Sequence, residues 1–392
     1  MTPLLTPKQF VDPLKLALFF IFISTCTLTA QIPSDWKQFR QDNGHHGFNR
    51  AETTLSVTNV ADLKEAWSFT TPGLVVASPA VVNNVVYIGS GDGTFFALDA
   101  VTGAQKWKRV LTPKTGPAAG IASSAAVVGG TVFVGTGVDD GFLYALRASN
   151  GAVIWRAHTG GVTSSPAVSE GTVYVGTNNS NVVALNAATG APVWRAHTDN
   201  AVASSPAVLG GKVYVGSEFG TTYAFDAVTG HLAWRAFTGN PLPVFSSPAV
   251  AGGKVFIGST DGFTYALDAA SGAEVWSTFT PIEVVFSSPA FSNGVVYVGS
   301  NDAKVWALDA ETGDIQWTAP TNGIIDASPA VANGVVYVGC EDHNLYAFDA
   351  RTGENLLTLD VGGIVFSSPA VSNGRVFVGA HDRKVHAFGL GN

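Results

Sequence analysis

The 392-residue sequence contains little methionine, cysteine or charge. It has one Met and two Cys, and charged residues make up 13% of the chain, about half the share found in an ordinary soluble domain. Lys and Arg total 21 against 29 Asp and Glu, which gives a formal net charge of −8. Nucleic-acid binding needs clustered Lys and Arg to neutralise phosphates, so the composition argues against a nucleic-acid partner. Two cysteines also provide no framework of internal disulfides.

The N-terminal residues 1–30 have the pattern of an export signal. Lys8 and Lys15 supply positive charge, and the apolar segment 16–23 is too short to span a bilayer. Cleavage after Ala30 would release the mature protein. The tetrapeptide that ends at Cys26 also resembles a lipobox, and lipidation of Cys26 would instead attach the protein to a membrane. Both alternatives predict an exported protein that is periplasmic, outer-membrane-associated or secreted.

One repeat, of the form Ser-Ser-Pro-Ala-Val followed about 30 residues later by Trp, fills the rest of the chain. A period near 40 residues with short, β-rich segments is typical of propeller blades. The Pro position of the repeat is occupied by Pro79, Ala125, Pro166, Pro206, Pro248, Pro289, Pro329 and Pro369.

Each repeat contains four short segments of branched and aromatic residues, separated by glycine-containing turns. The last repeat lacks its fourth segment, whereas a spare fourth segment lies at residues 63–71. We therefore predict an all-β fold, a single eight-bladed β-propeller of four-stranded blades over residues 63–389. The N-terminal strand completes the last blade, which leaves no open edge. Residues 31–62 are predicted to form an extended lead-in, and we expect the ring to tolerate removal of residues 31–58.

A tryptophan ends the fourth segment of seven repeats, and Leu357 takes the eighth position. We expect each tryptophan to pack in the groove between neighbouring blades. This column consists of Trp67, Trp107, Trp155, Trp194, Trp234, Trp276 and Trp317.

Two types of candidate nucleophile are better explained by the repeat. Paired serines such as Ser204–Ser205 recur around the predicted ring, where eight strands crowd together and small residues fit. No Gly-x-Ser-x-Gly motif accompanies them. Cys340 stands where other repeats carry Ser217 or Ser300. We predict that these serines and Cys340 are structural.

The segment Ala307–Trp317, Ala-Leu-Asp-Ala-Glu-Thr-Gly-Asp-Ile-Gln-Trp, resembles the repeat signature of pyrroloquinoline-quinone-type propellers. The segments 36–40 and 46–49 are similar to the start of exported members of that group. The resemblance implies two different functions, because one fold supports many activities. Quinoprotein dehydrogenases of this type bind pyrroloquinoline quinone and Ca²⁺. The propeller lipoprotein of the outer-membrane β-barrel assembly machinery binds proteins and catalyses nothing.

The resemblance to dehydrogenases implies an adjacent Cys–Cys disulfide, a Trp floor beneath the quinone, an acidic and amide Ca²⁺ set, a catalytic Asp and a Lys or Arg at the quinone. The sequence has no adjacent cysteine pair, and Trp306 takes the position held by Tyr265 and Tyr346 in sister repeats. The residue before each Ser-Ser-Pro is predicted to line the mouth of the central channel. These residues are Val76, Ala122, Thr163, Ala203, Phe245, Phe286, Asp326 and Phe366.

Asp326 is the single carboxylate in this ring and the candidate catalytic residue. With Glu283 it is also the candidate Ca²⁺ ligand, but Ca²⁺ takes six to eight oxygen ligands and two acids are too few. Phe245, Phe286 and Phe366 are candidates for stacking on a flat cofactor or, alternatively, for packing against one another. We therefore expect no cofactor, with pyrroloquinoline quinone and Ca²⁺ as the alternative.

Acidic residues concentrate on one predicted face, formed by the turns between second and third strands and by the loops between blades. The turn set includes Asp92, Asp139, Asp140, Glu218, Asp261, Asp302, Glu341, Asp342 and Asp382, and the loop set Asp199, Glu283, Asp326 and Asp360. Against them stand Lys114, Lys304, Arg383 and Lys384. Turn chemistry alone explains many Asp-Gly pairs. The functional alternative is a face for a basic partner, represented by Asp92, Asp261, Asp302, Asp342 and Asp382.

The sequence favours an exported, monomeric, non-catalytic scaffold that binds a basic protein or peptide, in cell-envelope or outer-membrane protein assembly. A membrane contact is expected only through lipidation of Cys26. A quinone-dependent oxidoreductase and a permanent structural module of an envelope complex are the alternatives.

Overall fold

The computed structural model describes residues 34–112, 120–137, 140–238, 241–280 and 286–391. The predicted export signal with Cys26 lies outside these residues, as do Lys114, Asp139 and Glu283. Within the described ranges, no helix has the length and apolar character needed to cross a membrane.

Two strands precede the first blade: β1 (Phe48–Asn49) and β2 (Leu63–Thr70), with a 3₁₀ turn at Val60–Asp62 between them. Blades 1 to 4 each contain four antiparallel strands in sequential order. Blade 1 consists of β3 (Ala80–Val82), β4 (Val85–Gly89), β5 (Thr94–Asp99) and β6 (Gln105–Val110). Blade 2 consists of β7 (Ala126–Val128), β8 (Thr131–Gly135), β9 (Phe142–Arg147) and β10 (Val153–His158). Blade 3 consists of β11 (Ala167–Ser169), β12 (Thr172–Thr177), β13 (Asn181–Asn186) and β14 (Pro192–His197). Blade 4 consists of β15 (Ala207–Leu209), β16 (Lys212–Gly216), β17 (Thr221–Asp226) and β18 (Leu232–Phe237).

Blades 5 to 7 repeat this arrangement, with β1 added parallel to the first strand of blade 7, and blade 8 contributes three strands of its own. Blade 5 consists of β19 (Ala249–Ala251), β20 (Lys254–Gly258), β21 (Phe263–Asp268) and β22 (Glu274–Phe279). Blade 6 consists of β23 (Ala290–Ser292), β24 (Val295–Ser300), β25 (Lys304–Asp309) and β26 (Ile315–Pro320). Blade 7 consists of β27 (Ala330–Ala332), β28 (Val335–Gly339), β29 (Asn344–Asp349) and β30 (Asn355–Asp360). Blade 8 begins with β31 (Ala370–Ser372), β32 (Arg375–Gly379) and β33 (Lys384–Leu390).

The N-terminal strand β2 closes the ring. It pairs antiparallel with β33, giving the sheet order β2-β33-β32-β31, with Leu63 opposite Leu390 and Thr70 opposite Lys384. The first strand of every blade contacts the first strands of both neighbours, so the eight blades surround one axis. The predicted fold class, including closure by the N-terminal strand, is confirmed.

The ring has two faces, which we name by their turns. The upper face carries the turns between second and third strands and the loops from each fourth strand to the next blade. The lower face carries the turns between first and second and between third and fourth strands. Second and third strands are almost fully buried, because their apolar side chains pack against those of the neighbouring blade.

The tryptophans of the column join neighbouring blades. Trp234 is 7% exposed, and its Nε1–H donates to the carbonyl of Ala269 in blade 5 at 3.1 Å. Its indole lies against Gly272, where an added Cβ would come within 2.6 Å of the ring, and the φ of +75° at Gly272 also favours glycine. The other six tryptophans donate in the same way to Ala100, Ala148, Ala187, Ala227, Ala310 and Ala350, at 2.8–3.1 Å.

The eighth position of the column, Leu357, faces blade 8, where the N-terminal strand β2 meets the C-terminal strand β33. Blade 8 takes its fourth strand from the N-terminus, so the chain has no turn there between a third and a fourth strand. Leu357 instead packs in a cluster with Val57, Val60 and Leu390, which come from the two ends of the described chain. The smaller aliphatic side chain fits a groove that has no such turn for an indole to cover.

The lead-in segment winds around the axis on the lower face. Its backbone carbonyls accept hydrogen bonds of 2.6–2.8 Å from the first strands of blades 1, 2, 4, 5, 6 and 7, and Asn49 Nδ2 donates to Val371 O of blade 8. The carbonyls belong to Trp36, Lys37, Asn43, Gly44, His46 and Gly47, which accept from Val81, Val127, Val208, Val250, Phe291 and Val331. The segment is therefore hydrogen-bonded into the fold, which makes its removal more costly to the ring than the sequence led us to expect.

Arg40 fills the lower end of the axis. Its side chain is 1% exposed and donates to the carbonyls of Pro289 and Pro329, at 2.7 Å to Pro289. Burial lowers the pKa of Arg40 to about 9, and the nearby Asp42 carboxylate opposes that effect. A guanidinium can bridge two blades in this way because it carries five donors in one plane.

Candidate functional site

Eight serines form a closed hydrogen-bonded ring around the axis. In each blade, the backbone N–H of the serine before the Pro position donates to the hydroxyl oxygen of the equivalent serine in the next blade, at 2.8–3.1 Å. These hydroxyls are buried acceptors of the ring. Its members are Ser78, Ser124, Ser165, Ser205, Ser247, Ser288, Ser328 and Ser368.

Cys340 is a buried free thiol at the end of β28. Its Sγ–H donates to the carbonyl of Ile324 at 3.4 Å. Burial raises the pKa of the Cys340 thiol to about 12. A thiol of this kind is not a nucleophile near neutral pH, because the thiolate is the reactive form.

The residues predicted to line the channel mouth are partly exposed on the upper face, directly above the serine ring. Phe245 and Phe286 contact each other with ring centroids 5.0 Å apart, and Phe286 is 38% exposed. Phe366 contacts His381, with centroids 4.7 Å apart. The three phenylalanines therefore lie in two separate aromatic contacts, one in blades 5 and 6 and one in blade 8.

Asp326 lies beside Glu341 at the mouth. Its Oδ1 atom has no hydrogen-bond partner among the described residues, and its side chain is half-buried. Burial and then the adjacent Glu341 carboxylate raise the pKa of Asp326 to about 7. Burial and the neighbouring negative charge both disfavour ionisation of Asp326, so its carboxyl group is partly protonated near neutral pH.

A second polar ring at the mouth was not assigned from the sequence. Its six members lie one or two residues beyond the second strand of their blades, and backbone N–H groups among them donate to the loops that enter the same blades, as Glu341 does to Ile324 O and His381 to Ile364 O. Sequence reasoning counted Glu218 and Glu341 only as turn acids. The signal was positional, namely polar residues at one repeat position: Asn178, Glu218, Thr260, Asn301, Glu341 and His381.

The five acids chosen to represent the partner face are part of their turns. Each pairs with a side chain of the third strand of its own blade, at 2.5–3.2 Å. The side chains of Asp302 and Asp382 are only 5% and 14% exposed. Asp302 forms an ion pair with Lys304, and Asp382 forms one with Lys384. The pairs are Asp92 with Thr94, Asp261 with Tyr265, Asp302 with Trp306, Asp342 with Tyr346 and Asp382 with His386.

Blade 4 departs from this pattern. Phe219 takes the turn position that carries Asp in six other blades, and the carboxylate in this turn comes from outside the blade. Asp199, in the loop from blade 3, accepts from Ser217 Oγ at 2.6 Å and from Thr221 Oγ1 at 2.5 Å, and its N–H donates to Tyr223 Oη. Asp199 thus provides the carboxylate that holds this turn, and the side chain of Phe219 has no such role.

The described residues of the mouth do not assemble the Ca²⁺ set or the Trp floor that the resemblance to dehydrogenases implies. In the part of the chain that the structure describes, no three His, Cys, Asp or Glu side chains are grouped to hold a metal ion. Trp306 is 6% exposed and bonded to Asp302 within its own blade, so its indole is not a floor for a flat cofactor. No chemical step through the quinone or the metal follows from this arrangement.

The fold and the repeat define a class of protein, the eight-bladed propellers built from pyrroloquinoline-quinone-type repeats. A family model described as outer membrane protein assembly factor BamB matches residues 46–161, 139–278, 243–328 and 320–390. The chain belongs to this family, which confirms the resemblance read from the repeat.

Relatives with curated functions match over shorter stretches. Tetrathionate hydrolase from Acidithiobacillus ferrooxidans is 30% identical over 110 residues, which cover 28% of this chain and 21% of the relative. The quinohemoprotein alcohol dehydrogenase of Comamonas testosteroni is 30% identical over 135 residues, covering 32% and 18%. The chain thus spans about a fifth of the length of these relatives.

Solved structures resemble the chain over most of its length. A europium-containing methanol dehydrogenase has a TM-score of 0.78 at 16% identity and covers 92% of this chain and 99% of its own. BamB from Moraxella catarrhalis has a TM-score of 0.70 at 20% identity and covers 83% and 97%. At these identities the likeness shows the fold, which both an enzyme and an assembly factor use.

Proposed function

We propose that the protein is an exported, non-catalytic propeller scaffold that binds a basic protein segment on its upper face, in assembly of outer-membrane or other envelope proteins. The observation that carries this proposal is the charge of that face. Eleven of its described residues are acidic: Asp92, Asp140, Asp199, Glu218, Asp261, Asp302, Asp326, Glu341, Asp342, Asp360 and Asp382. Three are Lys or Arg: Lys304, Arg383 and Lys384.

The two ends of the central axis differ in exposure, and this difference supports the upper face as the binding face. The lead-in and Arg40 cover the lower end of the axis, whereas the mouth residues on the upper face remain partly exposed. A family whose model carries the name of an assembly factor supports a protein partner. We further propose that the mature protein is a monomer in the periplasm or at the outer membrane.

The test uses a basic peptide, Lys-Ser-Lys-Ser-Lys-Ser-Lys, with a fluorescent label and anisotropy as the readout. Its affinity is expected to fall as salt rises, because exposed charges are screened over about 8 Å at physiological ionic strength. The double variant Glu218→Lys/Glu341→Lys should weaken binding at least tenfold. These acids are preferred to the turn acids because no side-chain hydrogen bond ties them to their turns within the described residues.

The matched control places the same charge change on the lower face. Glu170 and Glu354 lie in lower turns of blades 3 and 7, and Glu170→Lys/Glu354→Lys should leave peptide affinity within twofold of the wild type. Equal loss in both double variants would show a response to net charge alone and would contradict a binding face.

A quinone-dependent oxidoreductase is the second candidate. Asp326 favours this candidate, because its pKa of about 7 suits a general base. It lies at the channel mouth of a ring that resembles a dehydrogenase propeller in fold. Addition of pyrroloquinoline quinone and Ca²⁺, followed by quinone absorbance and a dye-linked dehydrogenase assay, decides this point. Turnover in the wild type that is lost in Asp326→Asn would replace the scaffold proposal.

A further inference from the structure

We propose that an apolar patch on the upper face of blades 4 and 5 anchors hydrophobic side chains of the basic partner segment. The patch consists of Phe219, Phe237, Leu242 and Phe279. The inference rests on the proposed function and adds where and how the partner is recognised: a segment that carries apolar residues among its Lys or Arg.

All four side chains are exposed to an unusual degree for their type. Phe219 is 46% exposed, Phe237 66%, Leu242 45% and Phe279 53%. Single exposed apolar residues are ordinary, but large contiguous groups on a soluble protein mark interaction surfaces.

Phe219 has no structural reason to be aromatic. The turn that contains it is held by Asp199, which bonds Ser217 and Thr221 in place of the missing turn Asp. The side chain of Phe219 therefore projects from a turn that would be stable with a small polar residue in its place.

Phe237 and Phe279 occupy one repeat position, the upper end of the fourth strand. Phe237 lies opposite Thr221, and Phe279 lies opposite Phe263 with ring centroids 5.0 Å apart. The other six blades carry smaller or more polar residues there, namely Thr70, Val110, His158, His197, Pro320 and Asp360. Large aromatics at this position are thus confined to two neighbouring blades.

Backbone hydrogen bonds bring the four residues together. Thr238 N–H, next to Phe237, donates to the carbonyl of Gly220, next to Phe219, at 2.9 Å. The loop that contains Leu242 bonds the turns of both blades, through Val244 N–H to Ser217 O at 3.0 Å and Thr260 N–H to Pro243 O at 3.1 Å. The turns and the loop that carry the four residues are therefore neighbours on the upper face.

The charges beside the patch specify a basic occupant. Asp199 and Glu218 adjoin Phe219, and Asp261 lies in the turn of blade 5. Arg235, two residues before Phe237 in β18, lies on the same side of the sheet, and three acids against this one arginine leave the rim acidic. An apolar centre with an acidic rim is complementary to a segment in which Phe or Leu alternates with Lys or Arg. An anionic lipid surface would be repelled by the same rim.

The test compares two peptides of equal charge, Lys-Phe-Lys-Ser-Lys-Leu-Lys and Lys-Ser-Lys-Ser-Lys-Ser-Lys, by fluorescence anisotropy against the full mature chain. The wild type is expected to bind the apolar–basic peptide at least tenfold more tightly than the basic peptide. The variant Phe219→Ser/Phe237→Ser/Phe279→Ser should lose this preference while its affinity for the basic peptide stays within twofold. The control Val193→Ser/Val228→Ser/Leu232→Ser removes equally exposed apolar side chains outside the patch and should retain the preference.

Each failure has a distinct meaning. Unchanged preference in the patch variant overturns the patch but leaves the acidic face intact if the basic peptide still binds with salt dependence. Failure of the wild type to bind either peptide overturns both the patch and the proposed function. Dimerisation of the wild type in sedimentation velocity that the patch variant loses would assign the patch to a second copy of the chain and overturn the proposal. Matching circular dichroism spectra and melting temperatures for both triple variants exclude loss by unfolding.

Discussion

The backbone N–H of Ser368 donates to Ser78 Oγ across 3.0 Å, although the two residues are 290 positions apart. This bond completes the circle of eight serines, so the innermost strands are joined by side-chain hydrogen bonds as well as by packing.

Loss of one hydroxyl from that circle should destabilise the ring. Ser78→Ala leaves the buried Ser368 N–H without its acceptor, and an unpaired buried donor costs about 1–3 kcal/mol. Chemical denaturation should show this loss in the free energy of unfolding. Ser68→Ala, at an exposed position of β2, should change stability by less than about 0.5 kcal/mol. Equal effects of the two substitutions would contradict a structural role for the circle.

The tryptophan column predicts a graded response at one position. Trp234→Ala should cost roughly 3–5 kcal/mol, because it leaves a cavity and removes the hydrogen bond to Ala269 O. Trp234→Phe retains most of the packing and should cost about 1–2 kcal/mol. Leu357→Trp should not stabilise the protein, because blade 8 carries Leu390 where the other blades have the small acceptor alanine, and this larger side chain packs in the same cluster as Leu357. A higher melting temperature for Leu357→Trp would show that the eighth groove is like the other seven.

The lead-in should contribute strongly to stability. Trp36 is 2% exposed and pairs with Val81, so Trp36→Ala should cost about 3–5 kcal/mol. Arg40→Ala should cost about 3 kcal/mol or more, because two carbonyls lose their donor and a void forms on the axis. Lys64→Ala, at an exposed site of β2, serves as the control. Deletion of residues 31–58 with an unchanged melting temperature would refute this role.

Asp326 predicts a pH dependence of stability with a definite sign. Its pKa in the folded state is about 7, above its ordinary value of 3.8, so the folded state binds the proton more tightly than the unfolded state. The contribution of this group is fully present below pH 4 and is lost as pH rises through 7. Solvent at the mouth screens the effect, and we expect roughly 1–2 kcal/mol. Asp326→Asn should remove this part of the pH dependence, as measured by denaturation at pH 5 and pH 8.5. An unchanged difference between the two pH values in that variant would show that other groups cause it.

The ring could be predicted from the sequence because its evidence is repeated. Eight copies of one pattern, a missing last segment and a spare first one indicate both the blade number and the closing strand. The lead-in could not be placed in this way, because its contacts use backbone carbonyls, which every residue carries. Arg40 likewise resembles any polar residue of a linker until its burial on the axis is seen.

The sequence predicted only how many acidic residues the upper face carries. The structure shows which of them are bonded within their own turns and which lie at the channel mouth. Turn acids such as Asp302 and Asp382 proved to be bonded within their own blades, whereas Glu341 lies at the mouth beside Asp326. A list of charges cannot separate these cases, because the difference depends on which side chains approach from other strands.

The sequence by itself determined the all-β class, the number of blades and the positions of the tryptophan column, because each follows from local periodicity. Only the tertiary structure shows the roles of the residues that depart from the repeat pattern. Asp199 is 20 residues from Phe219, in the loop between two blades, and only the packing of that loop shows that it replaces the missing turn carboxylate. Contacts between blades depend on how successive repeats are rotated about the axis, and that rotation is a property of the closed ring as a whole.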